Sequence, residues 1–186
     1  MKCIFVSDIF GKTEALQALA ARCAKHYDII DPYRGHLTFD DEEKAYNYFS
    51  THVGLGLYTQ RLQQHIEALT EPVILIGFSV GASAIWALSS ELNNDLNSAQ
   101  IVRAECFYGS QIRNATEIIP NFNIRLIFPR EEAHFSVDEL IDAVKDKPNV
   151  QIERSNYLHG FMNALSKNYD ERGKDIYCSR FLDDLI

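Results

Sequence analysis

Short apolar runs alternate with amphipathic segments along almost the whole chain. The run CIFVSD at residues 3–8 comes first, and a stripe of apolar residues at helical spacing follows it over residues 13–25. Further apolar runs recur at residues 27–31, 73–76, 101–108, 121–128 and 150–154. Apolar runs of about four to eight residues, bounded by polar residues, glycine or proline, are typical of buried strands. The pattern therefore predicts six strands.

The segments between these runs predict helices. Apolar residues recur at helical spacing over residues 57–69, 82–92, 137–144 and 161–165, and the acidic stretch DDEEKAYNYF can begin another helix. The polar residues 93–100 predict a loop. Strands that alternate with helices predict a parallel sheet covered on both faces, because parallel neighbours need a crossover connection. We expect an α/β fold of about six mainly parallel strands in one domain over residues 1–186. The periodicity alone does not separate this fold from a flavodoxin-like one.

Charge and composition exclude several classes of protein. The chain of 186 residues carries 26 acidic and 18 basic side chains, a net charge of −8, so we expect no nucleic-acid partner. The opening residues MKCIFVSDIF lack the long apolar segment of a secretory signal, and the composition gives no sign of a membrane protein. The four cysteines are far apart and lack metal-ligand spacing. We therefore expect a cytoplasmic protein with reduced thiols and no metal.

The sequence GFSVG is the first candidate for chemistry. It places Ser79 between a strand-like run and a helix-like segment, with Gly77 and Gly81 two positions away on either side. The glycines remove side chains that would collide in a tight turn, and the Val80 amide at the helix start can donate to a developing oxyanion. A G-x-S-x-G pattern also arises by chance, but the strand–turn–helix setting is typical of a nucleophile elbow. Ser79 is therefore the predicted nucleophile.

Six histidines are candidate bases, and their order along the chain separates them. Hydrolases with this elbow have the chain order serine, acid, histidine. His159 follows the last predicted strand, in SNYLHGFMN, and is the predicted base; the alternative is that it caps the last helix. His134 ranks second, because it lies where the acid is expected. Surface or capping roles are expected for the histidines that precede the serine: His26, His36, His52 and His65.

The acid is expected between the serine and the histidine, after the strand NFNIRLIF. The following stretch PREEAHFSVDEL contains Glu131, Glu132 and Asp138. Each of these carboxylates could orient an imidazole. All three could equally form a solvated acidic surface, as most Asp and Glu residues do.

Several short motifs around these residues resemble the dienelactone hydrolase family of α/β-hydrolases. DIFG at residues 8–11 is similar to that family's acidic-Ile-Phe-Gly turn, and DPYRG at residues 31–35 is similar to its Asp/Pro/Tyr-rich turn. FYGSQI resembles a Tyr-Gly strand end of the family, and HGFMN at residues 159–163 resembles the residues around its histidine. These motifs lie in order along almost the whole chain. The resemblance implies a minimal α/β-hydrolase fold.

The resemblance also implies roles for residues near the predicted nucleophile. The family uses the turn after the early strand as an oxyanion donor, which implies that the Ile9 amide acts opposite the Val80 amide. Asp8 and Phe78 are then expected to contribute to the substrate pocket. The family's lactone-cleaving members carry an arginine at the position of Asn163, so their substrate is not carried over to this chain.

The position of the acid differs from the family pattern. The family spacing Gly-x-x-Asp places Glu132 at the acid, and glutamate is chemically acceptable there. A competing alignment on the His-Phe pair at residues 134–135 places Ala133 at the acid instead. That alignment leaves the triad incomplete or dependent on a neighbouring glutamate.

The sequence thus predicts a serine hydrolase that cleaves a small ester, lactone or thioester through an acyl-enzyme intermediate. Acyl transfer of this kind requires no metal or organic cofactor, and the expected partner is a small-molecule substrate. One alternative is a non-catalytic α/β-hydrolase-like binding protein with an incomplete triad. Another is a flavodoxin-like binder of nucleotide or phosphate, although the phosphate-binding glycine motifs are missing from the sequence.

Overall fold

The computed structural model describes residues 1–35, 37–92 and 101–183, with side chains up to residue 181. His36 and the predicted loop at residues 93–100 lie outside the described residues. Six strands are present: β1 (Lys2–Val6), β2 (Tyr27–Ile30), β3 (Val73–Phe78), β4 (Ile101–Phe107), β5 (Ile124–Phe128) and β6 (Val150–Arg154). The helices are α1 (Glu14–Cys23), α2 (Glu42–His52), α3 (Gly54–Glu67), α4 (Val80–Leu88), α5 (Val137–Val144) and α6 (Glu171–Asp183), with a short 3₁₀ helix at Ser110–Asn114.

The six strands form one parallel sheet in the order β2-β1-β3-β4-β5-β6. This confirms the predicted α/β class. The strand order reverses between β1 and β3, since β2 lies outside β1 on one side and the later strands follow β3 on the other. Ligands of open α/β sheets bind at the carboxyl ends of the strands near such a reversal. The loops after β1 and β3 therefore border the expected binding crevice.

Helices cover both faces of the sheet, as predicted. One apolar cluster joins β1 and β3 to buried residues of α2, α3, α4 and α5. A second cluster, on alternate residues of the same strands, packs against α1 and α6. The strand β3 is buried along its whole length, because parallel strands between two helical layers have no face to water.

Two predicted elements are wrong. Residues 161–165 form consecutive turns rather than the last helix, and the final helix is α6. The Asn163 side chain accepts the Leu165 amide at 2.9 Å, a local bond that competes with helical hydrogen bonding. The connection between β4 and β5 contains only the 3₁₀ helix among its described residues, so the predicted alternation of strands with helices is interrupted there.

Across residues 1–35, 37–92 and 101–183, no helix combines the length and the apolar character needed to cross a bilayer.

Candidate active site

Ser79 lies at the sharp turn between β3 and α4. Its backbone has φ 51° and ψ −113°, and residues other than glycine rarely adopt a conformation with positive φ. A Cβ atom on Gly77 would lie 2.7 Å from the Cα of Ala82, and one on Gly81 would clash with the carbonyl oxygens at the end of β1. The two glycines therefore permit the close packing of the turn that the sequence predicted.

Hydrogen bonds hold this strained turn in place. The Ser79 amide donates to the Phe107 carbonyl on β4 at 2.9 Å. The Ser83 hydroxyl donates to the Ser79 carbonyl at 3.1 Å and accepts the Gln111 amide at 3.2 Å. Strained residues persist only where the surroundings determine their conformation, and here the bonds to β4 and to the 3₁₀ helix do so.

Ser79, His159 and Glu132 form a continuous series of hydrogen bonds. Ser79 Oγ lies 3.0 Å from His159 Nε2, and His159 Nδ1 lies 2.6 Å from Glu132 Oε1. An ionised carboxylate can only accept, so Nδ1 donates to it and Nε2 is left to accept the serine proton. The side chains of His159 and Glu132 are 26% and 13% exposed, which leaves the imidazole accessible while the carboxylate is largely shielded.

The loop that carries His159 is fixed from several sides. Asn168 Nδ2 donates to the His159 carbonyl at 2.9 Å, and the Arg130 amide donates to the Tyr157 carbonyl at 2.7 Å. The ring of Tyr108 packs against the imidazole with a centroid distance of 4.9 Å. These contacts position the imidazole above the end of β4.

The other candidate acids point elsewhere. Glu131 pairs with Arg130 at 2.7 Å and is 65% exposed, and Asp138 pairs with Arg154 and is 74% exposed. Ala133 is exposed and has no carboxylate to offer. Of the acids proposed from the sequence, Glu132 alone contacts the imidazole. Glu132 is the residue that the family spacing Gly-x-x-Asp aligns with the acid.

The other described histidines are not part of this series. His134 and His26 are exposed. His52 stacks on Tyr48 at a centroid distance of 4.4 Å, and His65 contacts Asp28 at 3.1 Å.

Two backbone amides belong to the segments that leave β1 and β3 at the topological reversal. β1 and β3 are neighbours with Val6 opposite Gly77, so the loop that contains Ile9 and the start of α4 leave the sheet side by side. Neither the Ile9 amide nor the Val80 amide donates to an acceptor in the described part of the chain. The Val80 amide belongs to the first turn of α4, where helical amides have no intrahelical partner and the helix dipole favours negative charge.

Asp8 is a buried carboxyl group next to this loop. Its Oδ1 accepts the Phe10 amide at 3.0 Å, and its Oδ2 accepts Asn163 Nδ2 at 2.6 Å. Burial raises the pKa of the Asp8 carboxyl above its usual value, although both hydrogen bonds and the nearby His159 oppose that rise. Asp8 thus ties the loop after β1 to the loop that carries the histidine.

A small pocket lies behind this link. Its volume is about 10 Å³, which is room for about one water molecule. The sequence predicted that Asp8 and Phe78 contribute to the substrate pocket, and both line this small one, together with Ala15, Leu16, Leu19, Tyr108, Met162 and Asn163.

Two residues near the site were not singled out for these contacts by sequence reasoning. Tyr108 has φ 42° and a buried hydroxyl that reaches no hydrogen-bond partner in the described residues; the Met162 amide points toward it without reaching hydrogen-bond geometry. The sequence signal at Tyr108 is the Tyr-Gly pair at the strand end, whereas its positive φ is visible only in the structure. Asn163 gave no local signal, because its partner Asp8 is 155 positions away.

Metal ligation is not evident in this region or elsewhere in the described chain. Within residues 1–35, 37–92 and 101–183, no three His, Cys, Asp or Glu side chains come together as a metal site. The four cysteines are buried and form no disulfide.

Sequence comparison finds a curated relative of this chain over most of its length. No profile of a known protein family matches it. The uncharacterized protein YczH of Bacillus subtilis strain 168 is 32% identical over 147 residues, which cover 75% of this chain and 69% of YczH.

Solved structures of α/β-hydrolases have a similar fold. A dienelactone hydrolase-like promiscuous phosphotriesterase from metagenomic libraries has a TM-score of 0.66 at 17% identity, over 98% of this chain and 85% of that one. A putative α/β-superfamily hydrolase of Xanthomonas campestris has a TM-score of 0.63 at 14% identity, over 99% and 97% of the two chains. Est1E of Butyrivibrio proteoclasticus with bound ferulic acid has a TM-score of 0.61 at 10% identity, over 99% and 87%. The chain therefore has the fold of the dienelactone hydrolase-like α/β-hydrolases, as its motifs predicted, and it belongs to the same family as YczH.

Proposed function

We propose that the protein is a serine hydrolase that cleaves a small ester, lactone or thioester through an acyl-enzyme intermediate. The observation that carries this proposal is the series of contacts from Ser79 through His159 to Glu132, at 3.0 and 2.6 Å. A nucleophile, a base within hydrogen-bond reach and a third group that orients the base are the parts that acyl transfer needs.

In the first step Ser79 Oγ attacks the substrate carbonyl carbon. Its proton passes to His159 Nε2, and the imidazole becomes positively charged. The Glu132 carboxylate, which accepts the Nδ1 proton, holds the ring in the correct tautomer and stabilises that positive charge.

The carbonyl oxygen gains negative charge in the same step. The free amides of Ile9 and Val80 are the proposed donors to this oxyanion, and the N-terminus of α4 adds its dipole. The imidazolium then protonates the leaving group and the acyl-enzyme forms. Water, activated by the neutral imidazole, releases the acyl group by the reverse sequence of proton transfers.

The comparisons support the class of this proposal. The structural neighbours include Est1E with ferulic acid bound, the esterase PE8 and a promiscuous phosphotriesterase. A small-molecule substrate is therefore proposed for this chain as well. The alternative of a non-catalytic binding protein depended on a missing acid, whereas Glu132 lies 2.6 Å from the imidazole.

A fluorophosphonate probe tests the proposal directly. The wild-type protein is expected to be labelled on Ser79, Ser79→Ala to show no labelling, and His159→Ala to react at least about 100-fold more slowly because the serine loses its base. The exposed Ser90→Ala is a matched control that should label normally. A wild-type protein that takes no label, or labelling unchanged in His159→Ala, would contradict the proposed function.

A panel of p-nitrophenyl esters of increasing acyl length identifies the preferred substrate size. Hydrolysis by the wild-type protein that is lost in Ser79→Ala assigns the activity to this site. The acyl length that gives the highest kcat/KM then indicates the size of acyl group that the site prefers.

A further inference from the structure

The loop after β1 is held by a hydrogen bond at each of three successive carbonyl groups. The Asp8 carbonyl accepts from the Ser7 hydroxyl at 3.0 Å and from the Gly11 amide at 3.3 Å. The Ile9 carbonyl accepts from the hydroxyl of Tyr33. The Phe10 carbonyl accepts the Phe39 amide at 3.1 Å. This loop also presents the Ile9 amide that the proposed reaction uses.

Tyr33 is the only one of these donors that comes from a distant side chain. It belongs to the DPYRG turn after β2, where the Asp31 carboxylate accepts the Tyr33 amide at 2.7 Å. Its buried ring packs edge-on against Phe39 and Tyr48, with centroid distances of 5.2 and 5.6 Å. Burial, followed by the nearby Asp8 carboxyl, raises the pKa of the Tyr33 hydroxyl, so this group stays protonated and remains a donor at neutral pH.

Gly11, in the loop after β1, leaves room for the ring of Tyr33. A Cβ atom on Gly11 would lie 3.0 Å from Cδ2 of Tyr33 and 2.8 Å from the Leu37 carbonyl oxygen. Gly11 also has φ +84°, which other residues rarely adopt. The glycine of the DIFG motif and the tyrosine of the DPYRG motif therefore fit against each other.

Two peptide groups meet at Ile9, and hydrogen bonds hold both of them. Each peptide moves as a rigid plane, so holding a carbonyl fixes the direction of the N–H in the same peptide. The bonds to the Asp8 carbonyl hold the peptide on the N-terminal side of Ile9. Tyr33, together with the Asp8 carboxyl that accepts the Phe10 amide, holds the peptide on its C-terminal side. Both dihedral angles of Ile9 are thereby determined.

We propose that Tyr33 is a positioning residue for the oxyanion site: its hydroxyl holds the Ile9–Phe10 peptide, which restricts rotation about the Ile9 backbone and so keeps the Ile9 amide, in the preceding peptide, aimed at the substrate carbonyl oxygen. The inference rests on the proposed function, because an oxyanion forms only if Ser79 attacks a carbonyl. Donors fixed before the reaction are more effective than donors that must reorient during it.

The variant Tyr33→Phe removes the hydroxyl and keeps the ring packing. With p-nitrophenyl acetate, kcat is expected to fall about tenfold while KM stays within about twofold, since the donor acts on charge that appears only in the transition state. Both acylation and deacylation form an oxyanion, so the decrease appears whichever step limits the rate. Tyr48→Phe is the matched control, because Tyr48 packs in the same aromatic group and its hydroxyl contacts no loop carbonyl in the described residues.

A pair of ketone inhibitors separates positioning from a merely structural role. With a trifluoromethyl ketone, Ser79 Oγ bonds to the carbonyl carbon, its proton passes to His159 and the carbonyl electron pair becomes an oxyanion. The corresponding methyl ketone competes for the site without forming that charge to a comparable extent. In Tyr33→Phe the Ki of the trifluoromethyl ketone should rise about tenfold, in parallel with the loss of kcat/KM, while the Ki of the methyl ketone stays within about twofold.

The outcomes distinguish this inference from the function on which it rests. A wild-type protein that neither hydrolyses the ester nor takes the fluorophosphonate label overturns both. An active wild-type protein in which Tyr33→Phe matches Tyr48→Phe in kcat and in both Ki values overturns the role of Tyr33 alone. The same holds if Tyr33→Phe lowers the Tm and weakens both ketones equally, because that result indicates a general loss of structure.

Discussion

Two carboxyl groups form hydrogen bonds with the loop that carries the proposed base, and their surroundings differ. Glu132, from the loop after β5, bonds to the imidazole of His159. Asp8, from the loop after β1, accepts a hydrogen bond from the side-chain amide of Asn163, which lies four residues after His159. Glu132 thus faces a ring that gains a positive charge in the proposed reaction, whereas Asp8 faces amides that stay neutral.

The difference shows that the partner, rather than the residue type, decides what a carboxyl group can do. Next to an imidazole, a carboxylate stabilises the charge that develops when the serine is deprotonated. Removed from water, ionisation becomes unfavourable, which is why the pKa of the Asp8 carboxyl is raised even though its hydrogen bonds to the two amides oppose the rise. We therefore expect Glu132 to act in the reaction and Asp8 to act mainly on the structure of the site.

The largest expected effect is that of Glu132→Gln on activity. The amide would no longer stabilise the imidazolium and could hold the ring in the wrong tautomer, so kcat should fall by about 10³ to 10⁴. Steady-state hydrolysis of p-nitrophenyl acetate measures the change. The exposed Glu131→Gln is the control and should keep full activity. Equal activities of these two variants would show that Glu132 is not the acid.

Asp8→Ala should act on stability. The substitution leaves the Phe10 amide and Asn163 Nδ2 without their acceptor in a buried region. An unsatisfied buried donor costs about 1–3 kcal/mol, so the free energy of unfolding should fall by about 2 kcal/mol or more. Urea unfolding measures it, with the exposed Asp142→Ala as a control that should change it by less than about 0.5 kcal/mol. A loss no larger than that of the control would mean that the link to Asn163 does not stabilise the fold.

The pH dependence of stability tests the raised pKa of Asp8. The folded carboxyl keeps its proton to a higher pH than the unfolded one, whose pKa is about 3.9. The contribution of the Asp8 carboxyl to the free energy of unfolding is therefore fully present below about pH 4, and it is lost as the pH rises through the pKa of the folded state. In Asp8→Asn this contribution cannot vary with pH. The difference in unfolding free energy between wild type and Asp8→Asn should thus shrink as the pH rises, and parallel curves would contradict the raised pKa.

The smallest expected effect is that of Asp138→Asn. This side chain is 74% exposed and pairs with Arg154 at the surface. Exposed ion pairs contribute about 0–1 kcal/mol, so stability should change by less than about 1 kcal/mol and kcat by less than about twofold. A large loss of activity would return Asp138 to the list of possible acids.

The chemistry-bearing residues of the candidate site could be predicted because their signals are local or ordered along the chain. Ser79 has its glycines two positions away, and His159 follows the last strand. Glu132 could be chosen from its neighbours only through the family spacing, since the same stretch offers three candidate carboxylates. Their proposed roles in catalysis stay predictions until activity is measured.

Contacts between distant loops could not be predicted. Asn163 was placed in a helix because its segment has apolar residues at helical spacing, yet its side chain bonds to Asp8 and to the Leu165 amide. Tyr33 holds a backbone carbonyl, and such a partner leaves no mark in the sequence of side chains. The strand order is similarly hidden, because β1 pairs with both β2 and β3 and all three read as apolar runs.

The hydrogen bond between Ser79 and His159 joins positions 80 residues apart, and this has a consequence during protein synthesis. The ribosome releases the chain from its N-terminus, so the elbow of β3 and α4 emerges well before β6 and the histidine loop. A nascent or prematurely ended chain therefore presents a serine without its base. Under the proposed mechanism, hydrolysis begins only once the second half of the sheet has been made and has docked.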